Sequence, residues 1–322
     1  MFFINKIEKI YRSKVYTRFD DTGCLYYFST DDFAGLLCEK YDFVSEQGNR
    51  LSGRFYYYPN YIADRIVVFD HGMGGGHRSY MKEIEKLAKH GFKVFAYDHT
   101  GCMESEGDTT NGFCQSLSDL NACISTLKND NKYTKCTISV IGHSWGAYSC
   151  LNIGKFHRDV NHVVALSGFV STQRMLKQTF GGFLSLLRPH FVKIEKRANE
   201  KYYFCSAEDS LMDTNAKLLV IHSADDNTVS CKLHFDFLKN KLSGRKNSDF
   251  LLVDKKGHNP NYTQDAVIYM KEFFSQLTLA LKKDELKTDE CRKAFVSKFD
   301  WQKMTEQDDE VWNKIFSILD EY

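Results

Sequence analysis

Proline is scarce in this chain. Only Pro59, Pro189 and Pro260 occur among 322 residues, so no proline-rich linker divides it into separate units. An excess of charge of either sign is also missing. Lys and Arg number 43 and Asp and Glu 42, which removes the electrostatic argument for a nucleic-acid or anionic-membrane partner. The 10 cysteines include no C-x-x-C pair and no Cys/His cluster at zinc-ligand spacing. Several, such as Cys123 and Cys136, sit in apolar patterns where a free thiol acts as a small hydrophobe. No apolar run is long enough to span a bilayer, so stable membrane insertion is not expected. The opening stretch MFFINKIEKIYRSKVYTRFDD carries charges every few residues and no apolar h-region. The expectation is a chain without a signal peptide, in a reducing cytoplasm. Ordinary shares of hydrophobic residues (43%) and charged residues (26%) exclude global disorder.

The chain does contain an alternation of strands and helices. Tyr41 to Ser45 and Leu51 to Tyr58 read as strands around the turn residues Gly48 and Asn49. Strands are then expected at Arg65–Asp70, Lys93–Tyr97, Thr137–Ile141, Val163–Leu166, Leu218–Ile221 and Phe250–Val253. Helices are expected between them, as where Leu117, Leu120, Ile124 and Leu127 share one face. This pattern predicts an α/β fold with a mainly parallel sheet covered on both faces. Ligands in such sheets bind beyond the carboxyl ends of the strands. The alternation breaks at about residues 169–212, which read as an inserted helical cap. Residues 1–40 are expected to pack on the core at the sheet edge, and 41–282 to form the core itself. Residues 283–322 read as a helical extension closing on Val311, Trp312, Ile315, Phe316 and Leu319.

The sharpest motif is Gly142-His143-Ser144-Trp145-Gly146, between the Thr137–Ile141 strand and a helix. A G-x-S-x-G in a strand–turn–helix context lifts the serine Oγ above the sheet, and its glycines let strand and helix pass without Cβ collisions. A glycine-rich stretch, His71-Gly72-Met73-Gly74-Gly75-Gly76-His77, follows the Arg65–Asp70 strand. Its backbone suits an oxyanion hole, with the Met73 and Trp145 N–H groups as the expected donors. Nucleotide-phosphate patterns are absent here. A serine nucleophile needs a base, and the base an orienting carboxylate. His258 follows the last predicted strand in Lys255-Lys256-Gly257-His258-Asn259, and Asp225 and Asp226 follow the preceding one. The order is serine, acid, histidine; either aspartate fits it.

These segments together resemble the α/β-hydrolase superfamily, in particular its serine-hydrolase branch of esterases, lysophospholipase-like and serine aminopeptidase-like proteins. The resemblance covers about residues 41–282 and rests on HGMGGGH, GHSWG, HSADDNTV and KKGH. In that family the acid is often followed three residues later by an apolar residue, which favours Asp226, with Val229 in place. Asp98-His99-Thr100-Gly101 and Ser105-Glu106-Gly107 look like a structural loop of the family, departing from it at Met103 where a glycine is usual. The resemblance implies cleavage of a carboxylic ester or related acyl bond, with Ser144, His258 and Asp226 as the triad and no metal or organic cofactor. The expected partner is a small, partly apolar acyl substrate. Phe180, Phe183 and Leu187 of the cap are the candidate walls of its pocket. Peptidase, thioesterase or acyltransferase chemistry on the same fold is the alternative, and a non-catalytic ligand-binding fold the more distant one.

Overall fold

The computed structural model describes residues 2–321. Its strands are β1 (Leu37–Lys40), β2 (Phe43–Val44), β3 (Arg50–Leu51), β4 (Gly53–Tyr57), β5 (Arg65–Asp70), β6 (Lys93–Tyr97), β7 (Thr137–His143), β8 (His162–Leu166), β9 (Lys217–Ser223) and β10 (Ser248–Val253). Helices α1 (Phe2–Val15), α2 (Met81–Lys89), α3 (Gln115–Asn129), α4 (Trp145–Asn152), α5 (Thr172–Thr179), α6 (Arg188–Ala198) and α7 (Glu200–Tyr203) come first. They are followed by α8 (Ala207–Met212), α9 (Phe235–Lys241), α10 (Gln264–Lys282), α11 (Asp289–Val296), α12 (Trp301–Met304) and α13 (Asp309–Leu319).

Eight strands form one sheet in the order β1-β4-β6-β5-β7-β8-β9-β10, while β2 and β3 pair as a small separate ribbon. The β1–β4 and β4–β6 pairs are antiparallel, and every pair from β6 across to β10 is parallel. Side chains alternate across such a sheet, and β5 shows the consequence. Ile66 and Val68 join the core under α3 and α4. Val67 and Phe69 join the opposite core, with Ile84 and Leu87 of α2 and Trp312 and Ile315 of α13. Fully burying each such aliphatic side chain is worth roughly 1.5–3 kcal/mol. Both faces are therefore covered, as the unbroken apolar strands require.

Three segments differ from the sequence expectation. Residues 37–40 are a strand of the sheet itself, so the core begins before residue 41. Helix α1 packs on the inserted helices rather than on the sheet edge. The Tyr11 hydroxyl donates to Glu195 Oε1 at 2.6 Å, and the Tyr11 ring lies 4.8 Å from that of Phe191. The last residues do more than extend the chain. Helix α13 supplies one face of the core, and residues 306–308 brace the loop after β10. Thr263 N–H donates to Glu306 O, Asp308 N–H donates to Asn261 O, and Lys256 pairs with Asp308.

The loop after β6 is held by the N-terminal segment. Met103 stands at φ 45°, the left-handed region where glycine is comfortable. Its N–H donates to Phe19 O at 2.8 Å, and the Arg18 guanidinium donates to the carbonyls of Met103, Ser105 and Gly107. Asp98 is buried here and accepts the N–H of His77 at 2.9 Å and that of Glu104 at 3.2 Å. It also lies 2.7 Å from His77 Nδ1, and these bonds make it a structural residue of the loop.

Candidate active site

Strand β7 runs straight into Ser144, which sits at φ 55° and ψ −109° before the first turn of α4. That strained backbone carries Oγ out above the sheet, and the flanking glycines make it sterically attainable. A Cβ on Gly146 would lie 2.1 Å from Asp70 O, and one on Gly142 would lie 2.5 Å from the Gly146 carbonyl carbon. Trp145 is the first residue of α4, where a helix leaves its N–H groups without internal acceptors. Its indole N–H donates to Phe113 O at 2.6 Å, fixing the residue that follows the serine.

Two further strand ends converge on Ser144. His258, in the loop after β10, has Nε2 2.8 Å from Ser144 Oγ. Its Nδ1 lies 2.8 Å from Asp226 Oδ2, in the loop after β9. The consistent proton arrangement has Ser144 donating to Nε2 and Nδ1–H donating to the carboxylate. Asp226 Oδ1 accepts the N–H groups of Thr228 at 2.8 Å and Val229 at 3.0 Å. Burial pushes the Asp226 carboxyl up, but His258 and these two N–H groups outweigh it and hold the group below the usual carboxylate range. Asp225 does a different job: its Oδ1 accepts Ser223 Oγ at 2.6 Å and the Gly257 N–H at 2.9 Å.

A second set of residues ties the three loops together. Tyr80 OH accepts the Gly72 N–H at 3.1 Å and lies 2.9 Å from His143 Nδ1. His143 Nε2 reaches His258 O at 2.7 Å. Burial lowers His143 to about 3, so it stays neutral, accepting at Nδ1 and donating from Nε2. The glycine-rich loop, the serine turn and the histidine loop are thus joined in one chain of bonds. His143 was visible only as the variable position of G-x-S-x-G, and nothing in the sequence paired it with Tyr80. Beneath the glycine-rich loop, His99 Nε2 lies 2.7 Å from Asp70 Oδ1, and Nδ1 lies 3.3 Å from Asp119 Oδ2. Burial disfavours the charged ring, yet the two carboxylates win and raise it to about 9.

The structure brings Ser144, His258 and Asp226 together and puts Met73 in the adjoining glycine-rich loop. Helix α5, which ends just before Phe180, touches the loop that carries Asp226: Gln178 Nε2 donates to Thr228 O at 2.9 Å, and Ser230 N–H donates to Gln178 Oε1 at 2.9 Å. Phe180 is buried, its ring stacked 4.0 Å from Phe191 and 5.8 Å from Tyr11. Phe183 is 84% exposed, and Leu187 packs half-buried on the main core. The apolar cavity beside Met73 is lined by none of them. Phe180 packs the insertion onto α1 and Leu187 packs against the main core, while Phe183 is left exposed. Among the described residues no His, Cys, Asp and Glu cluster is arranged to hold a metal ion, and no helix is long and apolar enough to cross a membrane.

A family model described as serine aminopeptidase, S33, matches residues 62–217, just under half of the chain. No curated protein matches the chain by sequence. Among solved structures, the Pyrococcus furiosus esterase Pf2001 is 20% identical with a TM-score of 0.58, covering 83% of this chain and 98% of its own. Acetyl xylan esterase 1 from Thermoanaerobacterium is 14% identical with a TM-score of 0.54, covering 85% and 93%. The Pyrococcus horikoshii acylaminoacyl peptidase is 17% identical with a TM-score of 0.55, covering 76% of this chain and 42% of its own.

Proposed function

We propose that this chain, which has the α/β-hydrolase fold, is a serine hydrolase cleaving carboxylic esters or closely related acyl bonds. The observation that carries this reading is the unbroken pair of 2.8 Å contacts from Ser144 through His258 to Asp226. Ser144 Oγ attacks the acyl carbon as its proton passes to His258 Nε2, and Asp226 stabilises the resulting imidazolium. The N–H groups of Met73 and Trp145 receive the developing oxyanion, assisted by the N-terminus of α4. Collapse breaks the acyl–oxygen bond, and the leaving alcohol takes the proton from His258. Water then attacks the acyl-enzyme, giving a proton to His258, which returns it to Ser144 as the acid leaves. The residues themselves carry every proton, so the scheme uses no metal or organic cofactor.

The match to the serine aminopeptidase model supports a second reading, hydrolysis of an aminoacyl amide by the same residues. A panel of 4-nitrophenyl esters set against aminoacyl 4-nitroanilides tests the choice. Turnover confined to the esters supports the first reading, and turnover confined to the anilides supports the second.

A further inference from the structure

A cavity of about 230 Å³ opens beside the glycine-rich loop. Met73 and Asn259, the residue after His258, both line it. Its apolar wall comprises Phe28, Met270, Phe273 and Trp301. These come from the N-terminal segment, from α10 and from the start of α12, stretches remote from one another in sequence. Phe28 and Phe273 are buried, while Met270 and Trp301 are half-buried and present surface to the space. Asn259 Nδ2 lies 3.6 Å from Met270 Sδ, so the wall is tied to the loop that carries His258. Tyr26 and Phe274, 40% and 48% exposed, stand among the lining residues as its outer rim.

Size and charge say what such a space accepts. Apolar cavities of roughly 150 Å³ stay dry and take up a molecule as large as benzene. Arg78 and Lys82 are in the lining and no carboxylate is. The Arg78 guanidinium sits 5.6 Å from the centre of the Tyr27 ring, and the Lys82 ammonium 5.5 Å from that of Phe28. Two cations without an acid oppose a substrate ammonium group and leave an uncharged hydrocarbon or aryl group unopposed.

We infer that this cavity receives an apolar tail of the substrate, so that Tyr26, Phe28, Met270 and Trp301 select the ester. The inference rests on the serine-hydrolase reading, and names esters with a short to medium hydrocarbon or aryl group. It gives the N-terminal segment and the chain after β10 a part in selectivity.

The test is a chain-length profile on the full-length protein. One arm varies the acyl group of 4-nitrophenyl esters from acetyl to decanoyl. The other varies the alcohol of acetate esters, from methyl to octyl. Met270→Phe fills the space, Met270→Ala enlarges it, and Tyr26→Ala opens the rim by removing a ring that lies 5.1 Å from Phe28 and 6.1 Å from Trp301. Met270→Phe should depress kcat/KM for the longer tails at least about tenfold relative to acetyl or methyl, and Met270→Ala should shift the preferred length upwards. The arm that responds identifies the tail as acyl or alcohol. Should Met270→Phe fail to fold, Met270→Ala and Tyr26→Ala decide the matter. Labelling of Ser144 by a small fluorophosphonate is run on every variant. Normal labelling with unmoved profiles in both arms overturns the inference. Absence of labelling in the unsubstituted protein overturns the serine-hydrolase reading instead.

Discussion

The Asp225 carboxylate accepts the backbone N–H of Gly257 at 2.9 Å, one residue before His258. Its sequence neighbour Asp226 accepts His258 Nδ1 at 2.8 Å. Two adjacent aspartates therefore grip one loop at two points, the first by its backbone and the second by its imidazole. The two substitutions are expected to differ sharply. Asp226→Asn removes the charge that orients and stabilises the imidazolium, a change that costs about 10⁴ in kcat in the type case of the triad. Asp225→Asn keeps an acceptor for Gly257 and should lose about tenfold or less, the weight of one hydrogen bond. Measuring kcat for both variants at matched thermal stability checks this, and a larger loss for Asp225→Asn would reverse their roles.

Gly146 tests the elbow as backbone geometry. The Cβ of Gly146→Ala would sit 2.1 Å from Asp70 O and 2.4 Å from Asp70 C, both main-chain atoms of a central strand. No side-chain rotation relieves that overlap, so β5 or α4 must shift. The expected cost is about 3 kcal/mol or more, at the upper end for overpacking. Chemical denaturation reads the loss directly, and an unchanged midpoint would mean that the serine turn is looser than described.

How much of this was legible in the sequence follows from how local each signal is. Strands β5 and β6 stand at Arg65–Asp70 and Lys93–Tyr97, as their apolar runs specify, because a doubly buried strand must be apolar throughout. The serine turn was readable because glycine spacing and the strand–helix switch are both local. The partners of the cap aromatics were not readable, because apolar character does not say what a side chain packs against, and Phe183 is 84% exposed. Phe180 and Phe191 stack on each other beside Tyr11, a partner in α1, far earlier in the sequence. The same holds for residues 25–28 and for Trp301, Met304 and Thr305, which border the cavity only through tertiary contacts. The brace on the histidine loop was equally hidden, since the Tyr262–Gln307 bridge joins two polar stretches without period.

Glu83 makes stability depend on pH. It lies buried in α2, where Asn261 Nδ2 donates to its Oε1 at 3.1 Å. Burial raises its carboxyl from 4.5 to about 7. A raised carboxyl binds its proton more tightly in the folded state, so its contribution is present below about 4.5 and is lost as pH rises through about 7. Each tenfold gain in proton affinity on folding corresponds to about 1.4 kcal/mol. Glu83→Gln keeps the acceptor for Asn261 and cannot ionise. Its stability relative to the unsubstituted protein should therefore rise between pH 5 and pH 8. Urea denaturation across that range tests the sign, and a constant difference would contradict it.

A serine hydrolase must pass through one covalent event at its nucleophile, and intact-protein mass spectrometry after exposure to a fluorophosphonate reads that event most directly. A single phosphonyl adduct is predicted, mapping to the peptide that carries Ser144, with Ser144→Ala folded and unlabelled. A folded Ser144→Ala protein that still takes up one adduct, or an adduct on another residue of the unsubstituted chain, would contradict the assignment of Ser144 as the nucleophile.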